Sequence, residues 1–75
     1  MKELLETIAR SLVDNPEDVS VTEIEVEKSL ILELRVAKED MGKVIGRQGR
    51  IARAIRVVVK AAAVKENKRV VVEII

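Results

Sequence analysis

The residues of this sequence best suited to chemistry are two glycines, Gly46 and Gly49, which enclose Arg47 and Gln48. Glycine reaches positive φ angles easily and, having no Cβ, lets another backbone approach closely. We expect the second glycine to lie at the start of a helix, where unpaired N–H groups and the helix dipole favour a phosphate. Arg47 and Arg50 add positive charge at the rim, and Gln48 can donate to a phosphate or sugar oxygen. The segment therefore predicts a loop that contacts phosphate groups.

Other glycine motifs explain this segment less well. With Gly42 included, the spacing is G-x-x-x-G-x-x-G, whereas a dinucleotide fold requires G-x-G-x-x-G after a strand. The G-x-x-x-x-G-K-[ST] pattern of a P-loop is absent. The structural alternative is a plain connection between two helices with a glycine C-cap.

Charge is distributed unevenly, although the formal net charge is only +1. Residues 1–40 carry five basic and eleven acidic side chains, whereas residues 41–75 carry nine basic and two acidic ones. The stretch 41–65 contains no acid, and its basic residues are Lys43, Arg47, Arg50, Arg53, Arg56, Lys60 and Lys65. On the predicted long helix, one arc opposite the apolar stripe holds Arg50, Arg53, Arg56 and Lys60. This segregation indicates a polyanionic partner, the alternative being an ordinary solvated helix face.

Apolar periodicity places these residues within six elements in the order α-β-β-α-α-β. The predicted bounds are a helix from Lys2 to about Val13, strands Val19–Val26 and Leu30–Val36, a short helix Lys38–Ile45, a long helix from Gly49 or Arg50 to about Val64, and a strand Arg69–Ile75. A hairpin joins the first two strands, and a change of phase near residues 22–23 suggests a β-bulge. We expect one α+β domain spanning residues 1–75, with helices on one face of a three-stranded sheet.

The apolar stripe predicted for the long helix comprises Ile51, Ala52, Ile55, Val58, Val59 and Ala62. Three further residues lie off that stripe at helical spacing: Ala54, Val57 and Ala61. They form a small patch that would let two long helices pack closely, so we expect a homodimer through this face.

Composition argues against several functions. Without cysteine and histidine, a disulfide is impossible and a zinc site is very improbable, so no metal or cofactor is expected. The chain also lacks tyrosine, and its few Ser and Thr residues have no histidine base, which argues against an enzyme. No signal peptide or apolar run long enough for a membrane span is evident, so we expect a cytoplasmic protein.

Three stretches carry a resemblance to a known family: LVDNPEDVSV, ILELRVAKEDMGKVIGRQGRIARAIRVVVKAAA and NKRVVVEII. They are similar to the bacterial stand-alone KH proteins of the KhpA family, and the similarity spans nearly the whole chain. The helix-Gly-x-x-Gly-helix unit between strands resembles a type II KH domain. The resemblance implies that this loop clamps single-stranded RNA.

The resemblance assigns the clamp to Gly46, Arg47, Gln48 and Gly49. The surrounding contacts would come from Lys43, Ile45, Arg50, Ile51 and Arg53. Leu32 and Leu34 of the second strand would complete an apolar groove wall. Since the chain has no aromatic residue on which bases could stack, we expect weak binding with broad sequence tolerance.

The resemblance further implies an RNA chaperone or post-transcriptional regulator. Such a protein would pair with itself or with a second KH protein, KhpB (also called Jag or EloR), and would influence cell-envelope growth and cell length. The alternative is a protein-interaction module that uses the KH scaffold for dimerisation and binds little RNA.

Overall fold

A three-stranded sheet forms one layer of the molecule in the computed structural model, which describes all 75 residues. Its strands are β1 (Ser20–Val26), β2 (Ser29–Arg35) and β3 (Arg69–Ile74), in the spatial order β1-β2-β3. β1 and β2 are antiparallel and form the predicted hairpin. Its turn contains no glycine, and Glu27 takes the positive φ angle, 53°. β3 runs parallel to β2, so the chain between them crosses over through helices.

Three helices form the second layer: α1 (Lys2–Leu12), α2 (Met41–Ile45) and α3 (Arg50–Lys65). The predicted order α-β-β-α-α-β and the α+β class are confirmed. The segment predicted as one short helix from residue 38 begins with a 3₁₀ turn, Lys38–Asp40, before α2. None of the helices combines the length and apolar character needed to cross a membrane.

The core lies between the helices and one face of the sheet, and it is entirely aliphatic. Alternate residues of β2 are buried (Leu30, Leu32 and Leu34), which is the pattern of a strand covered on one side. The helices bury Leu5 and Ala9 of α1, Val44 of α2, and Ile55, Val59 and Ala63 of α3 against them. This packing fixes both helices that flank the Gly-x-x-Gly loop (Gly46, Arg47, Gln48 and Gly49).

The predicted bulge in β1 is wrong. The strand pairs with β2 in unbroken register from Ser20↔Arg35 to Val26↔Ser29. The change of phase arises because Val21 faces the helices, whereas Ile24 and Val26 lie on the opposite face and are exposed. The apolar residues thus change faces within a regular strand.

The predicted apolar stripe of α3 is rotated relative to the observed one. The buried residues of α3 are Ala52, Ile55, Val59 and Ala63, and the prediction did not include Ala63. Val58, predicted to be in the core, is 48% exposed. Because α3 is rich in Val and Ala on every side, its hydrophobic pattern does not define which face packs on the sheet.

Candidate nucleic-acid interface

The Gly-x-x-Gly loop is a tight turn between α2 and α3. Gly46 ends α2 at φ 75°, and Arg47–Gly49 forms a single 3₁₀ turn. Gln48 and Gly49 follow one another in left-handed conformations, with φ angles of 57° and 74°. These two residues reverse the chain direction, so that α3 begins directly at Arg50.

The two glycines are required for different reasons. A Cβ on Gly46 would lie 2.5 Å from Cγ1 of Ile51, so this position tolerates no side chain. A Cβ on Gly49 would meet nothing within 4 Å, so only its positive φ favours glycine there. The Gly49 side of the loop therefore faces open space, where another chain can approach the backbone.

The expectation of unpaired amides at the start of α3 is wrong for two groups. The N–H of Gly49 donates to the carbonyl of Gly46 at 3.2 Å, and the N–H of Arg50 donates to the carbonyl of Arg47. The 3₁₀ turn thus uses its own amides to close. The amides of Gly49 and Arg50 are therefore not available to a phosphate, which would depend on side chains and on close approach to Gly49.

Those side chains are well placed. Arg47, Gln48 and Arg50 are all exposed. The salt bridges of the molecule involve Glu6, Arg10, Asp14, Asp40 and Lys43, so neither arginine pairs with a carboxylate. Their charges remain uncompensated at the rim of the turn, where an anion would be attracted.

The predicted basic arc of α3 does not act as one stripe. Arg50, Arg53 and Lys60 are exposed, but Arg56 is half-buried, and its Nε donates to the carbonyl of Val72 in β3 at 3.2 Å. Arg56 lies beside the core face because the true stripe is rotated towards it. Arg53 turns back to the loop, where one of its terminal nitrogens donates to the carbonyl of Gln48 at 2.6 Å.

Lys43, predicted as an RNA contact, forms ion pairs within the protein. Its ammonium group contacts the carboxylate of Asp14 and lies 3.7 Å from that of Asp40. Hydrogen bonding to Asp14 raises the pKa of Lys43 above its usual value of 10.5. Two acidic neighbours compensate its charge, so we omit Lys43 from the proposed contacts.

Asp40 is the residue that sequence reasoning missed. Its side chain is fully buried and accepts hydrogen bonds from the backbone N–H groups of Asp14 and Asn15 and from the Asn15 side chain, at 3.0–3.3 Å. Burial alone would raise the pKa of Asp40, but these donors and the charge of Lys43 outweigh it and lower the pKa below 3.8. Asp40 thereby ties the turn after α1 to the start of α2, the helix that leads into the loop.

No local pattern reveals this role. An aspartate just before a short helix is typical of a helix N-terminus, and its partner Asn15 lies 25 residues away. The available signal was the Asp14-Asn15-Pro16 turn, whose backbone donors need an acceptor once they are buried.

The proposed apolar wall is smaller than expected. Ile45 and Ile51, on either side of the loop, are half-buried and pack against the core. Leu32 and Leu34 are completely buried, so their assignment to a groove wall is wrong. Their side chains belong to the core between the sheet and the helices.

The predicted dimer patch is on the surface. Ala54, Val57 and Ala61 are all exposed, and Val57 is 67% accessible. Val58 and Val64 extend the apolar surface of α3, with Val64 at 74%.

A model of the KhpA/KhpB KH domain matches residues 2–74. The chain belongs to this KH-domain family. Among its relatives, the RNA-binding protein KhpA of Clostridium acetobutylicum is 76% identical over the full length of both chains. KhpA of Borreliella burgdorferi is 58% identical over 97% of this chain and 89% of the relative. Both relatives are RNA-binding proteins by name.

Solved structures agree on the KH fold. Era of Aquifex aeolicus superposes with a TM-score of 0.70 at 18% identity, over 97% of this chain and 28% of Era. A structure of Era in complex with a segment of 16S ribosomal RNA matches equally well. The chain thus spans little more than a quarter of Era, and the similarity concerns the fold alone.

Proposed function

We propose that this protein binds single-stranded RNA through its Gly-x-x-Gly loop, with residues 1–75 acting as one KH unit. One observation carries the proposal: the open side of Gly49 is bordered by exposed Arg47 and Arg50, which have no carboxylate partner. Family membership and the RNA-binding names of close relatives support the choice of RNA. An open glycine lets a sugar–phosphate backbone come close, and the arginines then bind phosphate oxygens.

In this proposal Gln48 supplies a neutral donor to phosphate or ribose, and Ile45 and Ile51 offer apolar contact to the bases. Without aromatic platforms, each base contributes little, so binding is weak and tolerant of sequence. A second KH unit would raise the overall affinity by increasing the effective concentration of the loop.

Salt dependence tests this mode of binding. If Arg47 and Arg50 each neutralise one phosphate, log K against log salt should fall with a slope of about −1.4. Fluorescence anisotropy with an oligouridine of about eight nucleotides measures it. Lys65→Ala, which removes an exposed charge from the other end of α3, should leave the slope unchanged. A wild-type slope near zero would exclude a phosphate clamp.

We further propose that the protein acts in the cytoplasm as an RNA chaperone or post-transcriptional regulator, alone or with KhpB, and influences cell-envelope growth and cell length. The support is family membership, since the matching model covers KhpA and KhpB together. A second KH unit would also meet the need for added affinity.

The homodimer is proposed to form through the exposed patch of α3. Ala54 and Ala61 are small enough to let two helices approach, and Val57 between them would be the central contact. An isolated apolar residue on a surface is common, but here the apolar surface continues through Val58 and Val64.

Val57→Asp is expected to convert the dimer to a monomer, because a charge would be buried without a partner at the centre of the contact. The dissociation constant, measured by sedimentation, should rise more than about tenfold. Thr7→Asp is the control, since it adds an acid at an exposed position of α1, away from the patch on α3. An unchanged mass for Val57→Asp would rule out this interface. Variants of the Gly-x-x-Gly loop that lose RNA binding but keep partner binding would favour the RNA clamp over the interaction-module alternative.

A further inference from the structure

Arg53 differs from the other arginines near the loop. The side chains of Arg47 and Arg50 make no hydrogen bond within the protein, whereas Arg53 donates to the carbonyl of Gln48 at 2.6 Å. The two residues are five positions apart, so this bond joins the first turns of α3 to the centre of the loop. Arg53 is also exposed and has no carboxylate partner.

The acceptor of this bond belongs to one of three non-glycine residues with a positive φ, the others being Glu27 and Asn67. Gln48 has a φ of 57° and a ψ of 25°, a left-handed conformation that non-glycine residues adopt uncommonly. Gly49 follows at φ 74°, so two successive left-handed residues form the turn. The backbone bonds that close the turn use the carbonyls of Gly46 and Arg47, and Arg53 engages the carbonyl of Gln48.

We propose that Arg53 is a positioning residue, which holds the Gly-x-x-Gly loop in its RNA-binding conformation through the carbonyl of Gln48. This inference rests on the proposed function and revises the assignment of Arg53 as a direct RNA contact. A guanidinium group in a charge-assisted hydrogen bond fixes the direction of its acceptor. The loop is then already ordered before RNA binds. The affinity is not reduced by a population of free protein whose loop has another conformation.

Loss of a phosphate contact and loss of a positioning bond change the salt dependence of RNA binding in different ways. Loss of a phosphate contact makes the salt slope less steep by about 0.7, since one fewer counterion site is released. Loss of a positioning bond lowers the fraction of molecules with a competent loop, which reduces affinity at every salt concentration equally.

The test compares Arg53→Met with Arg50→Met, because methionine keeps much of the apolar stem and removes the donors and the charge. Binding of an oligouridine of about eight nucleotides is measured across a salt series. For Arg53→Met we expect about a fivefold loss of affinity with the wild-type slope. For Arg50→Met we expect a slope less steep by about 0.7.

A second readout needs no RNA. Amide hydrogen exchange at Gly49, whose N–H closes the turn onto Gly46, should be faster in Arg53→Met and unchanged in Arg50→Met. Both substitutions are at exposed positions, so the melting temperature should change little. If the wild-type protein binds no RNA, the proposed function is refuted. The exchange at Gly49 would still test whether Arg53 holds the conformation of the loop.

Two results would overturn the positioning role. One is a slope change of about 0.7 in Arg53→Met with unchanged exchange at Gly49, which would make Arg53 a phosphate contact. The other is wild-type affinity together with wild-type exchange, which would make the bond to Gln48 unimportant.

Discussion

Replacing Arg47 and Gln48 together by aspartate is expected to lower the affinity for single-stranded RNA about hundredfold. The change removes one cation and one neutral donor and places two anions where phosphates would lie. Aspartate tolerates the left-handed conformation of position 48, so the loop itself should still form. Crosslinking or anisotropy with an oligouridine measures the loss, and circular dichroism verifies the fold.

The chain offers a closely matched control for this variant. Lys65→Asp combined with Asn67→Asp produces the same change in charge at the other end of α3, and position 67 is also left-handed, at φ 57°. Its affinity should fall only slightly, through long-range repulsion. If both double variants lose RNA equally, binding depends on net charge and not on the loop. If neither loses RNA, the loop is not the site.

Asp40→Asn is expected to destabilise the folded protein, lowering the melting temperature by about 10 °C. The Asp40 carboxylate accepts hydrogen bonds on both oxygens, from Asp14 on one and from Asn15 on the other. An amide can accept on only one side, so its NH₂ group must face a donor in a buried site. Thermal unfolding of the variant beside Asp18→Asn, at an exposed turn position, measures the effect.

The same carboxylate makes stability depend on pH. Because the pKa of Asp40 is lower in the folded protein than its usual 3.8, its contribution is fully present well above that value. The contribution is lost as the pH falls through 3.8 towards the folded pKa. The difference in melting temperature between wild type and Asp40→Asn should therefore narrow in acid. A difference that stays constant down to about pH 2 would contradict this role of Asp40.

The order of the elements was predictable because each has a clear local signal. β2 alternates strictly, and the apolar residues of α1 recur at helical spacing. Gly46 marks the end of α2, where its positive φ and its contact with Ile51 both require glycine. Local signals of this kind depend only on neighbours in sequence.

What escaped prediction depends on tertiary contacts. The aliphatic surface of α3 fits several rotations, and only packing on β3 and α1 makes Ala63 a core residue and leaves Val58 exposed. Asp40 and Lys43 acquire their roles from the turn after α1, which is distant in sequence. The closure of the Gly-x-x-Gly loop onto its own amides likewise depends on the left-handed pair at Gln48 and Gly49.

These corrections change how the site is understood. A loop with fully bare amides would bind phosphate through its backbone, whereas this turn satisfies the amides of Gly49 and Arg50 internally. In the proposed mode of binding, Arg47, Gln48 and Arg50 at its rim contact the RNA, and Arg53 maintains the geometry of the turn. The same proposal expects selectivity for single strands, because the apolar flanks at Ile45 and Ile51 would contact unpaired bases.

An amide chemical-shift titration of isotope-labelled protein with an oligouridine of about eight nucleotides tests the central claim most directly. It reports the RNA contact residue by residue without any substitution. The largest shifts are expected at residues 45–53, centred on Gly46 and Gly49. Shifts confined to the open face of the sheet or to the far end of α3, with Gly46 and Gly49 unmoved at saturation, would contradict an RNA site at this loop.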